Sequence, residues 1–284
     1  MLRLVFGSSA SSEQAPQPGS GREVNSWGDD TGRVFARGFV GDSRAWIEWP
    51  GLGSFVFHAH SHDVVVWPIP GASPAAVLDI FSRVVQPLIL QALDHEALHA
   101  SGVIGPLGAV LFCGVSGSGK STLAYAMTGR GYSQLSDDAV VLKATADEIV
   151  VLPLPFTGRL RAPSAGFFAA NGHSSSTSPD RLQLPRVLRA VFMLTQDVEA
   201  APPSARSIEP RAAFTALLTH AHCFDPANSV ATAAMVGTYM EIASRVPVFE
   251  LRYRPDFEAL PQLLDAVHRA VEGAGAAARR EPER

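Results

Sequence analysis

Two cysteines in 284 residues, Cys113 and Cys223, exclude a disulfide framework and a metal knuckle. Cys113 lies inside an apolar run and reads as a small core residue. Charge of one sign is equally scarce. Lys and Arg number 23 against 27 Asp and Glu, for a formal net charge of -4, and no basic stripe runs along the chain. A polyanion-binding surface is therefore not expected, and nucleic acid is set aside as a partner. No apolar stretch reads as long enough to span a bilayer. The opening MLRLVF is too short for the apolar core of a signal peptide before Ser8–Gly21 turns polar. No internal repeat is found. Together these absences point to a cytoplasmic protein with no membrane partner. The composition that remains is that of a core former, 46% hydrophobic against 18% charged, enough for one large domain or two small ones.

The stretch around which the chain is organised is Leu107–Ala126, LGAVLFCGVSGSGKSTLAYA. Ala109 to Cys113 reads as a buried strand. Gly114 to Ser121 spells G-V-S-G-S-G-K-S, a full match to G-x-x-x-x-G-K-[ST], and good helix formers follow. Glycines allow backbone N–H groups to turn inward around phosphate oxygens, and a helix N-terminus adds partial positive charge behind them. Gly114, Ser116, Gly117, Ser118, Gly119, Lys120, Ser121 and Thr122 are the candidate nucleotide-binding set. Lys120 would lie along the outer phosphates, and Ser121 would offer its hydroxyl to Mg²⁺.

Residues from Gly7 to Asp30 are rich in Ser, Gly, Pro and Gln and read as disordered. Val34–Val40, Ala45–Trp49, Ser54–His60 and Asp63–Trp67 read as strands of an antiparallel meander. His58, His60 and His62 alternate and would share a strand face. That is a possible metal set, though a solvated face is the commoner meaning. Ala75–Leu98 has helical spacing, broken or kinked at Pro87. After the glycine loop a helix over Ser121–Thr128 ends at Gly129 and Gly131. Strands follow at Tyr132–Leu135, Glu148–Leu152 and Val187–Thr195. Gly166–Arg181 reads as a long loop of the lid or substrate-contacting kind, and Glu199–Ser207 as a linker. Helices over Pro210–His220 and Val230–Arg245, a strand over Val246–Tyr253, and an amphipathic helix over Pro261–Gly273 complete the pattern. The expected organisation is a disordered segment over 1–30, a single catalytic domain over 31–273 with the meander at 31–70 and the core at 75–273, and a flexible tail over 274–284.

Asp137 and Asp138 stand together at a strand end shortly after the glycine loop. There a divalent cation and an attacking hydroxyl both need negative charge. Arg159 and Arg161, in PLPFTGRLR, are the two candidates to neutralise a transferring phosphoryl group. His99, taken alone, reads as a helix-end histidine.

Three pieces placed together, His99-Ala100-Ser101-Gly102-Val103, Gly114–Ser121, and Leu135-Ser136-Asp137-Asp138 after Gly131-Tyr132, resemble the catalytic domain of HPr kinase/phosphorylase and its phosphoenolpyruvate-carboxykinase-like relatives. The resemblance spans about Leu98–Leu142 closely and extends loosely to the last helix. It implies an α/β fold with a mixed sheet around the phosphate loop, flanking helices and an N-terminal antiparallel meander. It also implies ATP and Mg²⁺, with Lys120 and Ser121 on the phosphates and metal. One of Asp137 and Asp138 would be the base toward a substrate serine and the other a metal ligand, with His99 tuning the base. Three departures stand out. No clear Arg-Gly-x-Gly signature is present, Thr122 occupies a place where HPr kinases tend to carry an acid, and the N-terminal part is short. These features resemble the shorter relatives that phosphorylate a serine of a precursor peptide, as in lasso-peptide tailoring. The expected partner is thus a peptide or small protein. A small-metabolite acceptor, a non-catalytic nucleotide-binding module and homo-oligomer formation all stay open.

Overall fold

The computed structural model describes residues 2–8, 13–17, 19–28, 31–156, 158–172, 184–199 and 202–278. The chain divides into two compact units rather than the single domain expected over 31–273. The first comprises Met1–His95 and His222–Met235, the second Glu96–Ala221 and Val236–Arg284.

Among the described residues, six strands make up the sheet of the first unit: β1 (Arg3–Phe6), β2 (Arg22–Gly28), β3 (Val34–Val40), β4 (Ala45–Trp49), β5 (Gly53–Phe57) and β6 (Asp63–Pro68). Their order is β1-β6-β5-β4-β3-β2. β3 to β6 form the expected antiparallel meander, β2 adds to β3 in antiparallel and β1 to β6 in parallel. The segment 1–30, expected to be disordered, therefore supplies two strands. Its composition is polar, but Leu4 and Val5 pair with Val64 and Val65, and Arg3 forms a two-bonded ion pair with Asp63 at 2.7 and 2.6 Å. The return segment of this unit places Phe224 edge-on to Phe57, with centroids 5.5 Å apart, and 6.1 Å from Trp27.

The helical stretch expected from 75 onward runs as α1 (Pro74–Ile80), a π-helical turn (Phe81–Val85) and α2 (Gln86–Ala92). Pro87 does not break it: Val85 and Gln86 keep helical angles, and the Gln86 N–H donates to the Phe81 carbonyl. The irregularity appears instead as the wider turn just before it. Contrary to expectation, Pro74–Ala92 is long and apolar enough by composition to cross a membrane, with a mean hydropathy of 1.3. Val77, Phe81, Val85, Leu88 and Ile89 are buried, with the Phe81 ring stacked on Phe55.

The second unit carries β7 (Glu96–Leu98), β8 (Ala100–Gly105), β9 (Gly108–Cys113), α3 (Lys120–Met127), β10 (Ser133–Ser136), β11 (Val140–Ala144), β12 (Ile149–Leu152), α4 (Ala162–Ala170), β13 (Arg186–Gln196), β14 (Ser204–Ser207), α5 (Pro210–Leu218), α6 (Ser229–Arg245, which begins in the first unit), β15 (Val248–Tyr253) and α7 (Leu260–Ala278). Among the described residues its sheet runs β10-β8-β9-β13-β12-β11-β7, with β15 on β13 and β14 on β15. β9, β13 and β15 are mutually parallel and the other pairings antiparallel. The fold is α/β with a mixed sheet. Three parallel strands thus deliver the segments that follow them to one edge.

Two loop readings change. Ala162–Ala170 is a helix opened by Pro163 in its first turn, so the expected Gly166–Arg181 loop starts as helix through Ala170; residues 173–183 lie outside the described residues. Ser204–Ser207 is a strand on β15, where a linker was expected. Of the expected tail, the part through Ala278 continues α7. The core of this unit joins Phe112 and Phe192 of the sheet to Leu123 and Met127 of α3 and Leu264 and Val267 of α7. Replacing the fully buried Phe112, 5.8 Å from the Phe192 ring, with Ala should cost about 3–5 kcal/mol in urea unfolding followed by a probe in the second unit. A loss under about 1 kcal/mol would show that this ring does not hold the sheet to its helices.

Candidate active site

The buried strand β9 ends at Cys113, and the chain turns through Gly114–Gly119 into α3. Burial pushes the Cys113 thiol up to about 12, so it is an inert core group. Gly117 and Gly119 hold φ of 84° and 88°, in the left-handed region that side chains resist. At Gly119 a Cβ would also lie 2.8 Å from the Tyr253 hydroxyl, which donates to the Ser118 carbonyl. The strand β15 therefore braces the loop from behind. Lys120 is buried, and its Nζ donates to the Gly114 carbonyl at 2.8 Å and the Val115 carbonyl at 3.1 Å. Burial lowers its pKa, while nearby Asp138 and Asp137 act in the opposite direction. Ser118 Oγ is buried in the same cradle with no hydrogen-bond partner among the described residues. An acceptor such as a phosphate oxygen would satisfy it.

The acidic pair faces this cradle. Asp137, at 4% exposure, accepts Ser121 Oγ and Ser101 Oγ on Oδ1, both at 2.7 Å, and the Arg159 backbone N–H on Oδ2 at 3.2 Å. One carboxylate thus ties the first turn of α3 to β8 and to the loop after β12. Asp138 sits at φ 68°. The Ala139 N–H closes on the Asp137 carbonyl at 2.9 Å, making a three-residue turn of the rare positive-φ kind, with Asp138 at its tip. Strain of this sort persists only where its surroundings enforce it. His99 supplies part of the restraint: its Nδ1 lies 2.8 Å from the Asp138 carbonyl, and its backbone N–H donates to the His220 carbonyl at 2.7 Å. The hydrogen bond of His99 goes to the main chain of Asp138, and the ring also interacts electrostatically with the Asp138 and Asp137 carboxylates.

The structure separates the two arginines. Arg161 Nη2 donates to Ser116 Oγ at 3.1 Å, and a Cβ on Gly117 would stand 3.3 Å from Arg161 Nη1, so this guanidinium lies over the glycine loop. Arg159 donates its backbone N–H to Asp137. Thr122 leaves the loop side by side with α4, its Oγ1 2.8 Å from Ser164 Oγ. Ser101, Tyr253 and Ser164 carried no assigned role in the sequence reading. The alternation of Ser101 with His99 on successive same-side positions was the available signal for the first. His58 lies just past the end of β5, bonded to the Ser43 carbonyl and to Glu13. Among the described residues no group of three or more His, Cys, Asp or Glu could hold a metal.

No family model matches the sequence, and no curated protein matches it. Among solved structures, the HPr(Ser) kinase/phosphatase from Coxiella burnetii matches at 14% identity with a TM-score of 0.35, covering 66% of this chain and 99% of that chain. At that score the likeness carries no argument, and the reading of the site rests on its geometry.

Two outcomes follow. Ser101→Ala removes a buried donor from Asp137 and should cost about 1–3 kcal/mol, read by urea unfolding; an unchanged midpoint would show that the bond contributes nothing. Burial, followed by the charge of Lys120, holds His99 below the usual imidazole value. The unfolded chain then binds more protons than the folded one just below about pH 6.5. Stability should be flat above that pH and fall as pH drops toward the folded value. His99→Gln should reduce the slope in melting temperature between pH 7.5 and 5.5, and an unaltered slope would contradict the assignment.

Proposed function

We propose that this chain is an ATP- and Mg²⁺-dependent kinase that transfers the γ-phosphoryl group to a serine hydroxyl of a peptide or small protein. The observation that carries the reading is the 2.7 Å bond between Ser121, in the first turn after the glycine loop, and Asp137. It puts an acid pair beside a phosphate cradle, and a phosphoryl-transfer site needs these two parts in contact.

The roles divide by environment. The N–H groups of the loop and the N-terminus of α3 receive phosphate oxygens, with Ser118 Oγ as a further donor. Lys120 leaves the carbonyls of Gly114 and Val115 to lie on the outer phosphates, and Arg161 steadies charge on the transferring group. Ser121 Oγ and the Asp137 carboxylate are hard oxygen donors that fit Mg²⁺, which usually takes one or two carboxylates together with substrate phosphates. When bound, the ion supplies charge neutralisation on the phosphates. Asp137 is committed to three hydrogen bonds, so the more exposed Asp138 is the base. Its carboxylate accepts the proton of the serine hydroxyl, whose oxygen forms a bond to the γ-phosphorus as the bond to ADP breaks.

A peptide acceptor is read from the resemblance around Leu98–Leu142 and stands or falls separately from the nucleotide chemistry. With ATP, Mg²⁺ and serine-containing peptides, mass spectrometry should find a phosphoserine. Asp138→Asn should lower the rate by about 10²–10⁴, and Lys120→Ala by about 10²–10³, with both variants folded by circular dichroism. Turnover near that of the parent in either variant would refute these roles.

A further inference from the structure

The sheet of the second unit ends on one side at β14, which pairs with β15 and, among the described residues, with nothing else. We infer that this edge and the groove beside it dock an extended segment of the acceptor peptide. That segment carries a large apolar side chain beside an acid and lies N-terminal to the serine. The inference rests on the peptide-kinase reading above and adds to it where the peptide is held and in which direction it runs.

The backbone supplies a template. Ile208 donates its N–H to the Val248 carbonyl at 2.8 Å, and Arg206 stands opposite Glu250. Successive residues of a strand point to alternate sides, so the N–H and C=O groups of Ala205 and Ser207 face away from β15. An added strand pairs with such a row. Pro203, just before β14, has no N–H to offer, which keeps the template short.

The groove supplies a pocket. A space of about 460 Å³ lies between β14 and α7. Its floor is the half-buried ring of Phe249, and its wall is Ala266, Ala270, Gly273 and Ala274, which recur on one face of α7. A Cβ built on Gly273 would meet nothing within 4 Å. Residues this small leave the ring partly bare, and a large apolar side chain laid across it would leave water.

Charge decides the neighbouring residue. Arg269 lines the groove, Arg206 sits on the edge strand, and both are exposed. The acids near them are engaged elsewhere. Asp265 is 2.7 Å from Arg130, Glu272 is 3.3 Å from His268, and Glu250 is 3.5 Å from Arg252. Two cations without a paired acid among the described residues thus flank the edge, and an acid of the incoming segment complements them.

Direction follows from the sheet. β9, β13 and β15 run toward the glycine loop, and β14 runs against them. Antiparallel pairing is the more stable kind, so the docked segment runs with β15 and leaves at the loop edge by its C-terminal end. Across β15, β13 and β9, the strand β8 that carries Ser101 lies about 19 Å from β14, so at least about six residues must separate the segment from the serine.

Selection of phage-displayed random peptides on the full chain, followed by fluorescence anisotropy, tests this. The peptides recovered should carry a large apolar residue beside an acid. Ser207→Pro removes an outward N–H and no bond to β15, and Gly273→Leu fills empty space, so both should fold and bind ATP like the parent. The first should weaken the selected peptide about three- to tenfold, and the second about tenfold or more. Joined ahead of a phosphorylated serine through about eight glycines, the peptide should lower KM with kcat unchanged, and joined behind it should not. Recovery of no peptide, or unchanged affinity in both variants, would overturn the inference. So would a parent dimer that either variant converts to a monomer, since the occupant would then be a second copy. Peptides that lose affinity in both variants, with no serine phosphorylated in any context, would support the groove as a peptide site and overturn the kinase reading instead.

Discussion

The site depends on a single buried carboxylate. Asp137 sits where the glycine loop, β8 and the segment after β12 converge, and it accepts a hydrogen bond from each. A buried charge with fewer partners would be expensive, so these donors hold both the charge and the geometry. The same carboxylate fixes the hydroxyl of Ser121 and makes the strained turn at Asp138 possible, because the closing bond of that turn ends on the Asp137 carbonyl.

Around this point the sheet acts as a positioning frame. β9 carries the loop in, β13 flanks it, and β15 braces it through Tyr253, whose hydroxyl reaches the Ser118 carbonyl. The rigid part of the machinery is thus strand and helix, with the glycines confined to the turn between them. The side chains that would have to move, Lys120 and Arg161, are held by loop carbonyls and by Ser116 rather than by the core. Ligand oxygens compete for such contacts on equal terms. A buried ion pair at the same place would have set a higher barrier.

What the sequence made legible was local. The glycine loop and the stop at Gly131 are short patterns whose conformation follows from residue type, and the structure places them as read; the Asp pair was legible as acids at a strand end, but not the positive-φ turn at Asp138. β3 to β6 were equally plain, since their alternation is strong. The first thirty residues were not. The strand Arg3–Phe6 has four residues, and its partner Asp63–Pro68 lies some sixty positions away, so only tertiary pairing reveals it. The return of His222–Met235 to the first unit was hidden for the same reason, because it rests on Phe224 finding Trp27 and Phe57. Ala162–Ala170 looked like loop because Ala, Ser and Gly give little periodicity, although its alanines are good helix formers.

The contact between cradle and acid is the claim on which everything else rests. A double-mutant cycle of Ser121→Ala and Asp137→Asn, with the affinity for Mg²⁺ and ATP measured by calorimetry, tests it most directly. The account predicts a coupling of at least about 0.5 kcal/mol, since both groups serve one ligand and touch each other. Effects that add to within about 0.3 kcal/mol would contradict it, because the two residues would then act at independent places.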